Sequence, residues 1–209
     1  SKIICYSNRL AGIYNQHIRQ RLYSYPTHVM PNDLLMIVQN NYNLDVFNGD
    51  IIRVISVSDN VEKQSAPVYV KRFGERVREI ITLTFRDVEL QNESGGIYSA
   101  KIIDSLLESS EPHLPFDDMK ALLINFCMRM DECGIKEGTL DFVERMKSDP
   151  YLNALRVKYG YAITCHKAQG GEWNKVYVDF TDRLGLSDDS LRWIYTATTR
   201  ASKTLYGLN

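Results

Sequence analysis

The sequence Tyr-Ala-Ile-Thr-Cys-His-Lys-Ala-Gln-Gly-Gly-Glu-Trp at positions 161–173 decides the fold class of this chain. Tyr161 and Ile163 alternate with smaller residues as in a strand, and the run then breaks into polar residues and a Gly-Gly pair. Backbone N–H groups at such a pair can approach an anion closely because no Cβ intervenes, and a carboxylate such as Glu172 suits sugar hydroxyls. The stretch therefore predicts a strand that leads into a loop suited to phosphate and sugar.

A second stretch, Trp-Ile-Tyr-Thr-Ala-Thr-Thr-Arg-Ala at positions 193–201, follows about two dozen residues later. Together the two stretches resemble motifs V and VI of superfamily 1 DNA helicases, in the C-terminal motor domain of the RecD-like and UvrD-like branch. That family typically carries T-x-H-K-x-Q-G-x-E and then an aromatic-led run that ends in T-R-A. The occurrence of both, in this order and spacing, makes the resemblance specific.

The resemblance implies a nucleotide-facing set of residues. Arg200 matches the arginine finger and is the one predicted catalytic residue, because a planar, always protonated guanidinium can grip two oxygens of a transferring phosphoryl group. Gly170 would offer its N–H to the phosphates, Glu172 would accept from the ribose hydroxyls, and Gln169 would help to couple the two sites. The simpler alternative for Arg200 is a helix-terminal cation that interacts with the helix dipole.

The resemblance also implies a second set that contacts the backbone of single-stranded DNA: Ser7, Asn8, Arg9, Thr164 and His166. Ser7 or Asn8 can instead be a plain helix cap with a solvated Arg beside it, and a lone His is often structural. Lys167 stays unassigned between phosphate and solvent.

Two positions of the motif loop depart from the family pattern. Trp173 stands where relatives more often have Phe after the Glu, and Gly171 stands where many have Ser. The first is a conservative aromatic change, and the second loosens the loop without removing a required donor.

A superfamily 1 motor hydrolyses ATP with Mg²⁺ between two α/β domains. This chain has no G-x-x-x-x-G-K-[ST] sequence, so the phosphate loop and the Mg²⁺ ligands are expected upstream, in the N-terminal motor domain of the same protein. The chain begins at Ser1 without Met and enters a strand at once, which favours a domain of a longer protein. We expect it to be inactive alone, with single-stranded DNA and the N-terminal motor domain as partners.

The predicted fold class is α/β. Residues 1–33 and 151–209 are expected to form a discontinuous RecA-like motor domain with a parallel sheet. Short strands with a tight turn at Asn48-Gly49 predict a small antiparallel barrel in residues 34–110, and the sequence of residues 38–50 resembles the SH3-like 2B insertion of RecD-like helicases. Residues 111–150 have helical spacing and complete the insertion.

Four finer predictions follow from hydrophobic periodicity. The apolar face of the first helix is Leu10, Ile13, Tyr14, Ile18 and Leu22. Separate strands run from Ile51 to Val57 and from Val68 to Lys71. One alternating strand spans Val157 to Ile163. The face of the helix before Arg200 is Leu191, Ile194, Tyr195 and Thr198.

Bulk properties limit the function classes. A formal net charge of −1 and a pI near 6.4 do not predict a broad basic face. The four cysteines have no metal-ligand spacing, so we expect them reduced and structural, without a metal site. The sequence has no apolar run of about 18 residues and no signal-like N-terminus, which favours a cytoplasmic protein without membrane contact.

Two alternatives to a DNA motor stay open at this point. A non-catalytic nucleic-acid-binding or interaction module that kept a helicase fold would explain the near-neutral charge and the missing phosphate loop. An RNA-directed motor of the same superfamily would use the same backbone contacts, which do not report a 2′-hydroxyl.

Overall fold

The computed structural model describes residues 1–181 and 187–208, which form a mixed α/β fold with one parallel and one antiparallel sheet. The elements in chain order are β1 (Lys2–Cys5), α1 (Asn8–Tyr23), β2 (Leu34–Ile37), β3 (Ile51–Arg72), β4 (Glu75–Gln91), β5 (Ile97–Ile103), α2 (Asp104–Glu108), α3 (Phe116–Glu132), α4 (Leu140–Ser148), β6 (Val157–Tyr159), β7 (Ala162–Thr164), β8 (Trp173–Asp179), α5 (Asp188–Thr198) and β9 (Ala201–Leu208). In the described part of the chain, every helix is too short or too polar to cross a lipid bilayer.

The parallel sheet has the strand order β7-β1-β8-β9. Its central strand β1 pairs with β7 on one side, Cys5 opposite Thr164, and with β8 on the other, Ile4 opposite Val178. Strands that are covered on both faces must be apolar throughout, and Ile4, Ile163 and Val178 are almost fully buried. The N-terminal and C-terminal parts of the chain therefore share one sheet.

The orientation of α1 differs from the prediction. Its buried residues are Ala11, Asn15 and Arg19, whereas Ile13 and Leu22 of the predicted apolar face are 37% and 58% exposed. Asn15 turns inward because its amide satisfies three backbone groups: it donates to the carbonyls of residues 159 and 162 (3.0 and 2.9 Å) and accepts from the N–H of residue 162 (2.8 Å). Polar contacts, and not apolar area, set the phase of this helix.

Arg19 extends the same polar junction. Its Nε lies 3.1 Å from Asp33 Oδ1 and its guanidinium stacks 3.8 Å from the Tyr159 ring centroid. Asp33 also accepts from the Tyr161 hydroxyl (2.8 Å) and from the Met30 N–H (2.8 Å). The buried Arg19–Asp33 ion pair and these further contacts join α1 to the segments around Asp33 and residues 159–161.

The antiparallel sheet has the order β5-β4-β3-β2-β6 and is dominated by one long hairpin. The two strands predicted at 51–57 and 68–71 are in fact one strand, β3, which runs through the polar residues 58–60 by a register shift between Val57 and Val61. A β-bulge accommodates residues 58–60 within the strand. A parallel bridge between Ile102 and Leu155 links the β5 edge to the segment before β6.

The strand predicted from Val157 to Ile163 is also two strands, which belong to different sheets. β6 pairs with β2 in the antiparallel sheet, and β7 pairs with β1 in the parallel sheet. Gly160 lies between them, where an added Cβ would approach the backbone of residues 35 and 36 to 3.3 Å. The predicted start of the second motor segment at residue 151 is therefore too early with respect to the sheets, because β6 belongs to the inserted sheet.

Helices α3 and α4 follow as expected, separated by Gly134 and Gly138, which both have positive φ. Of the predicted stripe on α3, Leu122, Phe126 and Met130 are buried, and the ring of Phe126 packs edge-on against Phe142 of α4. α2 was not predicted. No disulfide joins the four cysteines in the described residues, and Cys5 and Cys165 are buried.

Candidate functional site

The carboxyl ends of β1 and β7 bring the two predicted DNA-contact segments together. Cys5 and Thr164 are register partners on adjacent parallel strands, so the residues that follow them leave the sheet at the same edge. Ser7 caps α1, with its Oγ accepting from the Leu10 N–H at 3.2 Å. Asn8 and Arg9 are exposed on the first turn of that helix. Ser7 is therefore a helix cap, and it also follows the strand that ends beside Thr164.

A cleft of about 390 Å³ opens beside this edge. Asn8, Arg9 and Thr164 line it, together with Lys158 and Lys167. Thr164 is only 6% exposed, so it lies at the floor of the cleft. The set that the resemblance assigned to single-stranded DNA is therefore partly assembled, and we name this feature the α1 cleft.

The two lysines of the α1 cleft are partly desolvated. Burial, followed by the charge of Lys167, lowers the pKa of Lys158 to about 8, and burial lowers the pKa of Lys167. Lys158 Nζ donates to the carbonyls of Leu106 and Ser109, at 2.5 and 2.6 Å. With a pKa of about 8, Lys158 is still mostly cationic at neutral pH. Sequence reasoning missed Lys158, because a Lys at an alternate position of a short strand carries no signal of its own.

His166, the remaining DNA-contact candidate, lies on the other side of the motif loop. It is exposed and lines a second, larger cleft of about 720 Å³ between this loop and the antiparallel sheet, together with Gln169 and Gly170. His113 lines the same cleft. The structure therefore does not place His166 in the α1 cleft with Thr164.

The tip of the motif loop has an unused donor. Gly170 has φ 82°, a left-handed conformation that a side chain disfavours, and an added Cβ there would meet nothing within 4 Å. Neighbouring N–H groups are used inside the loop: that of Ala168 donates to the Thr164 carbonyl (3.0 Å) and that of Gly171 to the Ala168 carbonyl (3.1 Å). The Gly170 N–H has no protein acceptor in the described part of the chain, so it faces outward for an anion or water.

Arg200 joins the two motif stretches. Its Nη1 donates to the Gly171 carbonyl at 3.3 Å and its Nε to the Thr196 carbonyl at 3.0 Å, while its own carbonyl accepts from the Trp173 N–H at 2.9 Å. No carboxylate pairs with it among residues 1–181 and 187–208. A half-buried guanidinium that is oriented by carbonyls but has no anionic partner retains its charge for an added anion.

Helix α5 presents Arg200 through a face that the sequence did not predict. Ser187 caps the helix, with Oγ accepting from the Ser190 N–H at 3.3 Å. The buried residues are Ser190, Trp193 and Ala197, whereas Tyr195 is 70% exposed. Small residues let the helix approach the sheet, and the large ring of Trp193 sets its phase against Tyr6 and Phe180.

Glu172 is exposed, and its carboxylate has no hydrogen bond or ion pair within the described residues. It is adjacent to Gly171 and Trp173, both of which contact Arg200 through the backbone. The structure therefore brings the predicted nucleotide-facing group Gly170, Glu172 and Arg200 to one short region of the surface, with Gln169 next to it.

The two departures from the family pattern are directly related. A Cβ added to Gly171 would lie 2.4 Å from Cη2 and 2.8 Å from Cζ2 of Trp173. The far edge of the indole therefore fills the space that a side chain at 171 would occupy. A side chain at residue 171 would therefore require the Trp173 ring or the loop to shift.

No three His, Cys, Asp or Glu side chains within residues 1–181 and 187–208 are close enough to hold a metal ion.

Comparisons with known proteins agree with the motif positions. Residues 159–206 match the family model of the UvrD-like helicase C-terminal domain. An uncharacterized protein of Acanthamoeba polyphaga mimivirus is 26% identical over 97% of this chain and 46% of its own length.

Two solved structures of Pif1 helicases align with this chain at low TM-scores. One from Bacteroides, in complex with ADP-AlF3 and ssDNA, has a TM-score of 0.45 at 11% identity over 100% of this chain and 40% of that one. One from Candida albicans has a TM-score of 0.46 at 12% identity over 100% and 44%. The chain spans less than half the length of each of these relatives.

The family-model match covers β7, the motif loop and α5, which are the elements that carry both motif stretches. It confirms the resemblance that those residues carry, since residues 159–206 match the UvrD-like helicase C-terminal domain.

Proposed function

We propose that this chain is the C-terminal motor part of an ATP-dependent DNA helicase or translocase, which couples ATP hydrolysis to movement along single-stranded DNA. The observation that carries the proposal is the position of Arg200. Its guanidinium is hydrogen-bonded to the motif loop at the Gly171 carbonyl and has no carboxylate partner in the described residues. An arginine that reaches across a domain cleft to a nucleotide must be held in position and must have no carboxylate partner that competes with the phosphate.

The residues present fit a nucleotide phosphate and its sugar. Among the described residues, Gly170 offers a backbone N–H without an acceptor, Glu172 an unpaired carboxylate, and Arg200 a cation without a carboxylate partner. Bound ATP with Mg²⁺ supplies the phosphoryl group whose transfer to water drives movement. Arg200 would hold negative charge on that group, Gly170 would donate to a phosphate oxygen, and Glu172 would orient the ribose.

The α1 cleft would hold the backbone of the single strand. Arg9, Lys158 and Lys167 provide three cations at its wall, and Asn8 and Thr164 provide hydrogen-bonding groups at its floor and rim. Local cations suffice for a motor that grips a few phosphates, which reconciles this function with a net charge of −1. Thr164 and Gly170 are six residues apart on one loop, so a shift at the nucleotide can reach the strand.

The antiparallel sheet would be an SH3-like 2B module. Its strand order and the bridge between Ile102 and Leu155, which links its edges, support that proposal. The phosphate loop, the Mg²⁺ ligands and the second wall of the nucleotide cleft would come from an N-terminal motor domain, so this chain alone is expected to be inactive.

The alternative of a non-catalytic binding module makes a different prediction for the same residues. Such a module would have no use for an unpaired, oriented Arg200 beside a free Glu172, and their replacement would leave its activity unchanged.

The test uses a protein that contains this chain together with a phosphate-loop domain. We expect ATP hydrolysis that single-stranded DNA stimulates, and we expect Arg200→Ala to abolish it while nucleotide affinity stays near the unmodified level. Near-normal turnover by the Arg200→Ala variant would contradict the proposal that Arg200 is the arginine finger. Stimulation by RNA but not DNA would redirect the proposal to an RNA motor.

A further inference from the structure

The outer half of the β3–β4 hairpin has two faces of opposite character. Directly paired residues of an antiparallel ladder lie on the same face of the sheet. Every second pair of β3 and β4, from Lys63–Thr84 to Lys71–Arg76, therefore belongs to one continuous exposed surface. We call it the outer face, and its members are Lys63, Ser65, Pro67, Tyr69, Lys71, Arg76, Arg78, Ile80, Thr82 and Thr84. On the opposite face, Ala66, Val68 and Val70 are buried against α3, whereas Arg72 and Glu75 near the turn are exposed.

The charges of the hairpin are sorted between these faces. The outer face carries four cations, Lys63, Lys71, Arg76 and Arg78, and no carboxylate. Glu75 and Glu79 lie on the opposite face, where Glu79 accepts two hydrogen bonds from Arg72, at 2.9 and 3.0 Å. In a chain of net charge −1, such a surface is a local feature and not a consequence of composition.

Two exposed aromatic rings accompany the cations. Tyr69 is 56% exposed, with the Arg76 guanidinium 5.2 Å from its ring centroid. Phe73 is fully exposed at the turn, at 108% of its reference area. Cations beside exposed rings are the combination by which proteins hold single strands, because the phosphates pair with the cations and the bases stack on the rings.

Phe73 is also in a conformation that folding disfavours. Phe73 and Gly74 have φ of 52° and 89°, which is the two-residue turn that favours Asn-Gly. A bulky side chain rarely adopts positive φ, and a fully exposed ring gains nothing from burial. Stability of the folded chain therefore does not explain a Phe at this position.

The β3 strand of the hairpin is packed on α3 up to Val70. Ala66, Val68 and Val70 pack against Ala121 of α3, and the Asn125 amide donates to the Ser65 carbonyl at 3.1 Å. The inner part of the outer face therefore has a helix behind it, and the exposed turn extends beyond that contact.

We propose that the outer face and Phe73 form a second binding surface for single-stranded nucleic acid, outside the α1 cleft. Lys71, Arg76 and Arg78 contact phosphates, and Tyr69 and Phe73 stack on unpaired bases. A single strand fits better than a duplex, because a duplex keeps its base faces inside the stack and leaves both rings unused. This surface contains none of the motor residues, and it goes beyond the proposed function.

The test measures binding of the 209-residue chain to a labelled oligothymidylate over a range of salt concentrations. The double variant Arg76→Gln, Arg78→Gln removes two phosphate contacts, so we expect the slope of log K against log salt to fall by about 1.4. The corresponding loss of affinity is about 25-fold near 0.1 M salt. The matched control is Arg72→Gln, which removes a cation of the same hairpin from its other face and should change affinity less than about twofold.

A second variant separates binding from folding. Phe73→Asn installs the residue that the turn prefers, so the melting temperature should stay the same or rise, while affinity falls by at least about fivefold. Unchanged affinity in Phe73→Asn, or equal losses in the double variant and in Arg72→Gln, would overturn the proposal. Tighter binding of a duplex of equal length would overturn the choice of a single strand. If Arg9→Gln weakens binding and the outer-face variants do not, binding is confined to the α1 cleft and the proposal is also overturned.

Discussion

Gly171 and Trp173 are expected to be energetically coupled, and Gly171→Ala is the direct perturbation. The new Cβ would lie 2.4, 2.8 and 3.2 Å from Cη2, Cζ2 and Cζ3 of Trp173, all on the far edge of the indole. Contacts below 3.0 Å force the ring or the loop to move, and overpacking of this kind costs about 1–3 kcal/mol. Phe is shorter and lacks that edge, so Gly171→Ala should cost much less when Trp173→Phe is also present.

The assay is a double-mutant cycle of urea unfolding on the 209-residue chain, with Trp173→Phe alone as the matched control. We expect Gly171→Ala to destabilise by about 2 kcal/mol alone and the coupling energy to be about 1–2 kcal/mol, with unchanged m-values. If the two substitutions are additive within about 0.5 kcal/mol, the indole does not occupy the space at residue 171 and the steric account is wrong.

Two further predictions concern buried charge. Arg19→Met should destabilise the chain by about 3–5 kcal/mol, because it leaves the fully buried Asp33 without its cationic partner. The control Arg145→Ala removes an exposed ion pair with Asp141 and should cost less than about 1 kcal/mol. Urea unfolding measures both, and equal costs would contradict the buried junction described for α1. Burial lowers the pKa of Lys2 from 10.5 to about 8, so above pH 8 the folded chain has lost a proton that the unfolded chain keeps. Lys2 should therefore raise the free energy of unfolding by up to about 1.4 kcal/mol per pH unit between roughly pH 8 and 9.5, and Lys158, whose pKa is also lowered to about 8, should add a similar rise. The Lys2→Met variant should keep only the second rise, and an unchanged slope in that variant would refute the contribution of Lys2.

The chemistry of the site could be predicted from the sequence because it is local. Residue types at 164–172 and at 199–201 define what each short segment can bind, and the structure brings Gly171 and Arg200 into contact as two parts of one motif pair would require. The Ser7 cap of α1 also follows from a pattern within a few residues.

Helix orientation could not be predicted in the same way. Hydrophobic periodicity placed Leu22 inward and Asn15 outward, but Asn15 satisfies three backbone groups at a sheet edge and therefore points inward. In α5 the small residues Ser190 and Ala197 are buried because they allow close approach, and a hydrophobicity pattern gives them little weight.

The division of the strands could not be predicted either. Val157 to Ile163 alternate continuously in sequence, yet the chain passes from one sheet to the other at Gly160. Conversely, the polar residues 58–60 look like a turn but lie within one long strand, because a bulge accommodates them. In both cases the decision depends on pairing with residues far away in sequence.

The measurement that tests the central claim most directly is single-turnover ATP hydrolysis, with saturating single-stranded DNA, by a protein that contains this chain and a phosphate-loop domain. Arg200→Ala is expected to slow the hydrolysis step by about 10³ to 10⁵-fold with ATP affinity nearly unchanged, while the exposed control Arg145→Ala leaves both unchanged. Equal hydrolysis rates in the two variants would contradict a charge delivered from this chain to the nucleotide.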